Sequence, residues 1–165
     1  MKQVPRVHIV GRKNAGKTTL VCDLVQRLTQ AGLQVATIKH THHRHELDTP
    51  GKDSHRHRQA GAAAVGILSP GMTAAFIPGN RDVREDDRYE HFDVLFRDFD
   101  LILVEGDLHA TARRIEVWRS ALNELPYASS DQQIQAVVSD DEPVVDCPVM
   151  PRSDLNPLID HILSR

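Results

Sequence analysis

The chain has 165 residues, enough to bury a core without disulfide or metal staples. Hydrophobic residues make up 40% and charged residues 26%, a globular balance that excludes a disordered chain. A formal charge of −3 offers no global basic field to nucleic acid or an anionic membrane surface.

No apolar run approaches the about 18 residues that a membrane span requires. Cys22 and Cys147 lie far apart and form no CxxC pair, so a disulfide framework and an all-cysteine zinc site are not expected. Met1 to Arg6 carries two basic residues but runs into a strand-like segment rather than a signal peptide. The expected location is the cytoplasm.

Val7 to Val10 is a short, largely β-branched run closed by Gly11. From Lys17, the apolar residues Leu20, Val21, Leu24, Val25 and Leu28 recur at the spacing of an amphipathic helix, and Gly32 is placed to stop it. Val35 to Ile38 reads as a second strand, so the first fifty residues form a βαβ unit with parallel strands and a right-handed crossover. His40 to Lys52 is too rich in His, Asp, Pro and Gly for regular structure. Asp53 to Ala64 is expected to be a helix starting at Asp53 or Ser54. Val65 to Leu68 and Ala74 to Ile77 are strand candidates around the turn Ser69-Pro70-Gly71.

Arg84 to Phe99 carries a helical stripe at Phe92, Leu95, Phe96 and Phe99. Leu101 to Val104 is fully apolar, as a central parallel strand should be. Ile115 to Trp118 and Ile134 to Val138 add two strands. Asn156 is expected to cap a last helix with Pro157 at its first position. Residues 1–165 therefore read as one α/β domain.

Gly11-Arg12-Lys13-Asn14-Ala15-Gly16-Lys17-Thr18 matches G-x-x-x-x-G-K-[ST] in full, between a strand and a helix as that motif requires. Backbone N–H groups of such a loop turn inward around a phosphate, and glycines permit the close approach. The helix that follows directs its positive end at the same anion. Gly11, Asn14, Ala15, Gly16, Lys17, Thr18 and Thr19 are the expected binding residues. Lys17 would neutralise β- and γ-phosphate oxygens, and the Thr18 hydroxyl would ligate Mg²⁺. The expected fold is thus a three-layer P-loop NTPase-like domain on a mostly parallel sheet.

Glu105 closes the apolar strand Leu101 to Val104 at its carboxyl end, where α/β sheets bind ligands. It is the candidate for contacting Mg²⁺ or positioning the attacking water; the plainer alternative is a solvated acid at a strand end. Asp100 sits at the other end of that strand and reads as structural. No [NT]-K-x-D is present, so base identity does not follow from the residues. Asp140, just after Ala136 to Val138, is either an acceptor for a guanine amino group or an ordinary loop acid.

Six of the ten histidines fall between His40 and His57, at 40, 42, 43, 45, 55 and 57. Such density suits Zn²⁺ or Ni²⁺, but no cysteine partner or zinc spacing accompanies it. A solvated loop, or one contacting phosphate and substrate, is the competing reading. Asp48-Thr49-Pro50-Gly51 resembles a D-x-x-G switch, displaced to follow the second strand. Asp48 and Asp53 are therefore candidate Mg²⁺ contacts and Lys39, Lys52 and Arg56 candidate anion contacts, with turn chemistry as the equal alternative.

Taken together, Gly11 to Leu20, Ile38-Lys39-His40-Thr41-His42-His43 and Asp48-Thr49-Pro50-Gly51-Lys52-Asp53-Ser54 resemble the molybdopterin-guanine dinucleotide biosynthesis protein B family. The resemblance continues through Arg58 to Ala62, Leu103-Val104-Glu105-Gly106 and Ile115-Glu116-Val117. It implies a weakly hydrolytic GTP-binding protein, usually dimeric, using Mg²⁺. It also implies a partner, the guanylyltransferase that joins GMP to molybdopterin, and contact with molybdopterin itself. Asp107-Leu108-His109 departs from the family pattern, which usually has an aromatic residue and a lysine there. Two other functions compete: a nickel-delivery GTPase storing metal in the histidine loop, and a small-molecule kinase with Arg81, Arg84 and Arg88 as its lid.

Overall fold

The computed structural model describes residues 4–43, 46–79 and 89–164. They fold into two compact units. One is built from the chain up to Thr41 and from Tyr89 onward, and the other begins at His42 and contains the hairpin described below.

The first unit opens with β1 (Arg6–Val10), α1 (Lys17–Gln30) and β2 (Val35–Lys39). Leu20, Leu24 and Leu28 of α1 are at most 1% exposed, so the 3.6-residue stripe faces the core, with Val25 partly buried against it. Truncating any one of them to Ala would cost about 2–5 kcal/mol. Gly32 ends the helix with φ 90, a left-handed conformation that glycine adopts without strain.

The second unit holds α2 (Asp53–Gln59), β3 (Val65–Ser69) and β4 (Met72–Phe76). The helix is shorter than the expected 53–64, because Gly61 turns left-handed with φ 101 and the chain leaves the helical path. The second hairpin strand starts two residues before the expected Ala74. The tight turn at Pro70-Gly71 pairs Ser69 with Met72, and that pairing sets the register down to Val65 opposite Phe76.

Returning to the first unit, the chain forms α3 (Glu90–Leu95), β5 (Leu101–Glu105), β6 (Arg113–Val117), β7 (Ile134–Val138), β8 (Val149–Met150) and α4 (Asn156–Leu163). Part of the expected helix 84–99 lies outside the described residues. Its described part stops at Leu95, which is exposed, while Phe92, Phe96 and Phe99 pack inward. The backbone loosens into a turn after Phe96, with Phe99 N–H donating to the Phe96 carbonyl, and this brings Phe99 onto the core. Asn156 is not a cap: it is the first helical residue, and Asp154 Oδ1 accepts its N–H. The short β8 was not anticipated.

The six-stranded sheet runs β2-β5-β1-β6-β7-β8, and every pairing in it is parallel. Alternate residues of each strand serve opposite faces. Val7, Ile9, Leu103, Ile115 and Val138 meet α1 and α4, while Ala36, Ile38, Ile102 and Val104 meet Tyr89 and the aromatic residues of α3 and the turn after it. Three layers result. Among the described residues no helix is long and apolar enough to cross a membrane.

Candidate nucleotide site

The strand order places β1 between β5 and β6, so the loops leaving these three strands share one carboxyl edge. The loop after β1 is the G-x-x-x-x-G-K-T segment. Gly11 has φ 141, and a Cβ there would lie 2.4 Å from the Val117 carbonyl oxygen. Only glycine lets the loop pass β6 so closely. Asn14 (φ 64) and Gly16 (φ 102) complete the turn, and Ala15 is buried beneath it. No side chain caps α1, whose first residue is Lys17, so its leading N–H groups are left for an anion. Thr19 stands exposed in that first turn.

Lys17 Nζ donates to the carbonyls of Gly11 (2.8 Å) and Arg12 (2.7 Å), which holds the ammonium across the mouth of the loop. Burial lowers its pKa below the ordinary lysine value; the Glu105 charge opposes that and Lys39 reinforces it. Thr18 Oγ1 donates to Glu105 Oε1 at 2.8 Å. Lys39 Nζ stands 3.7 Å from the same oxygen. Two oxygen-bearing side chains 87 positions apart thus meet beside a lysine, a donor set that suits a hard cation such as Mg²⁺.

The loop after β6 braces the phosphate loop in a way the sequence did not signal. Arg12 pairs with Glu124 Oε2 at 2.6 Å, donates to the Leu125 carbonyl at 3.3 Å, and lies over the Tyr127 ring at 4.5 Å. Arg119 Nη2 donates to the Asn14 carbonyl at 2.6 Å. The bracing loop is itself anchored by buried Glu116, whose two carboxylate oxygens accept the Tyr127 and Ala128 N–H groups at 2.8 Å each. Burial pushes the Glu116 carboxyl above its usual value, partly offset by those hydrogen bonds.

The other candidate residues have these partners. Asp48 belongs to the second unit, where Oδ1 accepts from Thr49 N–H (2.8 Å) and Ser54 Oγ (2.9 Å), while the buried Oδ2 has no hydrogen-bond partner. Asp53 begins α2. Asp140 Oδ1 accepts both Ser153 N–H and Ser153 Oγ at 2.8 Å, bonds that hold its pKa below the usual carboxylate value. Asp100 Oδ2 accepts the Gln34 N–H, a structural clasp at the far end of β5. His55 faces Glu46 at 3.5 Å, and Arg58 pairs with the same carboxylate at 2.5 Å. Among the described residues no group of three or more His, Cys, Asp or Glu side chains could hold a metal ion. His45, Arg81, Arg84 and Arg88 lie outside the described residues.

The family model for molybdopterin guanine dinucleotide synthesis protein B matches residues 6–140. The chain is 30% identical over 161 residues to the molybdopterin-guanine dinucleotide biosynthesis adapter protein of Escherichia coli, covering 97% of this chain and 92% of that one. It is 31% identical over 137 residues to the adapter protein of Haemophilus influenzae, covering 83% and 75%. A crystal structure of molybdopterin-guanine biosynthesis protein B superposes with a TM-score of 0.72 at 29% identity, covering 96% of each chain. The Bacillus subtilis MobB structure gives 0.71 at 23% identity over the same share, a likeness of fold. With the motif and the parallel sheet in place and the family model matched over most of its length, the chain belongs to the molybdopterin guanine dinucleotide synthesis protein B family.

Proposed function

We propose that this chain is a GTP-binding adapter in the synthesis of molybdopterin guanine dinucleotide, with slow GTP hydrolysis. The observation that carries this reading is the Thr18–Glu105 hydrogen bond beside Lys17. It joins the phosphate loop to the acid at the end of β5, as a site for a metal-bound triphosphate needs. Gly11, Asn14, Ala15, Gly16 and Thr19 supply the backbone cradle, and Lys17 the counter-charge. Thr18 and Glu105 would hold Mg²⁺, which would supply neutralisation of phosphate charge. Glu105 orients the attacking water.

The partner is the guanylyltransferase that joins GMP to molybdopterin, with molybdopterin itself in contact, and the adapter acts in the cytoplasm as a homodimer. Guanine specificity rests on family membership, since no [NT]-K-x-D loop is present.

The test is a titration of the full chain with GTP and with ATP, each with and without Mg²⁺, followed by the guanylyltransferase and molybdopterin. Preferential Mg²⁺-dependent GTP binding and faster dinucleotide formation are expected. Equal affinity for ATP, with no effect on the transferase, would overturn the reading and favour a small-molecule kinase.

A further inference from the structure

Immediately after Glu105 the backbone takes a turn that the phosphate chemistry does not use. Gly106 (φ 99) and Asp107 (φ 62) are consecutive residues in the left-handed region. The first has a steric reason, since a Cβ on Gly106 would lie 3.2 Å from the His40 carbonyl oxygen. The second is not glycine, and holding a side-chain-bearing residue there costs conformational free energy that something must offset.

Asp107 is buried, and its Oδ2 accepts the Tyr89 hydroxyl at 2.6 Å. Tyr89 is buried as well, its ring lying 4.1 Å from the Arg6 guanidinium carbon and 5.4 Å edge-on from the His8 ring. Arg6 is in turn held by Asp93 at 3.5 Å. Arg6 and His8 both belong to β1, the strand that ends in the phosphate loop.

The backbone on either side of the turn is pinned by the same elements. Glu105 O accepts the His40 N–H at 2.9 Å, Gly106 N–H donates to Ile9 O at 2.9 Å, and His8 Nδ1 lies 3.4 Å from Gly106 O. A buried carboxylate is expensive unless its bonds are made, and here the phenol makes one of them. The effect is to fix the direction in which Glu105 leaves the sheet.

We propose that Tyr89 and Asp107 are positioning residues for Glu105. Their buried hydrogen bond locks the left-handed turn and so holds the Glu105 carboxylate on the Thr18 hydroxyl. The proposal rests on Glu105 being the acid of the nucleotide site.

It is tested on the full chain with three variants. Tyr89→Phe removes only the hydroxyl and keeps the ring against Arg6 and His8. Asp107→Gly removes the carboxylate but suits the backbone angle, and Asp107→Asn tolerates the same angle and keeps an acceptor. Single-turnover GTP hydrolysis and the affinity for a non-hydrolysable GTP analogue, with and without Mg²⁺, are measured for each. Tyr89→Phe is also placed in a Glu105→Gln background.

Tyr89→Phe and Asp107→Gly should slow turnover by about three- to tenfold with analogue affinity within about twofold of wild type, and Asp107→Asn should recover most of the rate. In the Glu105→Gln background Tyr89→Phe should cost nothing more. Where Glu105→Gln itself slows turnover, an equal slowing in both backgrounds would mean general loosening and overturn the proposal, as would an unchanged rate in Tyr89→Phe alone.

Equal turnover by wild type and Glu105→Gln would instead defeat the hydrolytic role of Glu105, and the Mg²⁺ enhancement of analogue binding then decides. Loss of that enhancement in both Tyr89→Phe and Glu105→Gln sustains the positioning role; its retention in Tyr89→Phe overturns it.

Discussion

Lowering the pH from 7 to 5 should destabilise the folded chain through His8 in particular. This imidazole is fully buried on β1, beside Tyr89, with Nε2 lacking any hydrogen-bond partner. Desolvation lowers its pKa from 6.5 to about 4; nearby Asp107 opposes the shift and Arg6 adds to it.

Between those two values the unfolded chain binds a proton on His8 and the folded chain does not, so stability is lost as the pH falls from 6.5 toward 4. The whole window is worth about 3 kcal/mol, of which about 2 kcal/mol is gone at pH 5. Carboxylates and the half-buried His161, whose pKa is also lowered, titrate too, so the comparison must be with a variant.

His8→Phe keeps an aromatic ring against Tyr89 and removes the titrating group. Urea unfolding of both proteins at pH 7 and pH 5 isolates the difference. The wild type should lose about 2 kcal/mol more than the variant over that interval. Parallel losses in the two proteins would refute the argument, because they would show that His8 is protonated equally in both states.

Gly11→Ala should cost about 2–4 kcal/mol of stability, since the added Cβ meets the Val117 carbonyl at 2.4 Å; thermal unfolding would read it, and an unshifted midpoint would contradict the close approach. Lys17→Ala removes the counter-charge at the loop mouth and should weaken Mg²⁺-GTP binding by at least about tenfold in calorimetry. Unchanged affinity would remove this loop as the phosphate site. Glu105→Gln keeps the shape and loses the charge, so single-turnover hydrolysis should fall by more than about tenfold while nucleotide still binds. Equal rates would leave Glu105 as no more than the acceptor of the Thr18 hydroxyl.

How much of this was legible in the sequence depends on the range of the interaction. The form of the loop Gly11 to Thr18 could be read from eight contiguous residues, because its determinants are local: glycine backbone angles, one lysine and one hydroxyl on a helix start. The core face of α1 could be read because its spacing follows a geometric period, and the interior position of β5 because a strand covered on both faces admits no polar residue before its end. Glu105 was nominated by that same strand-end logic.

The bond from Thr18 to Glu105, the bracing of Asn14 by Arg119 and the burial of Asp107 against Tyr89 were not legible. Each joins residues distant along the chain, and which of them meet depends on strand order and on the path of each loop. Asp107 stood in the sequence only as a departure from a family pattern. The sequence by itself determined the turn of the glycine-rich loop, the helix and strand periods and the family. Only the tertiary structure decided which acid and which arginines stand beside that loop and which tyrosine meets Asp107, because packing selects partners that local spacing leaves open.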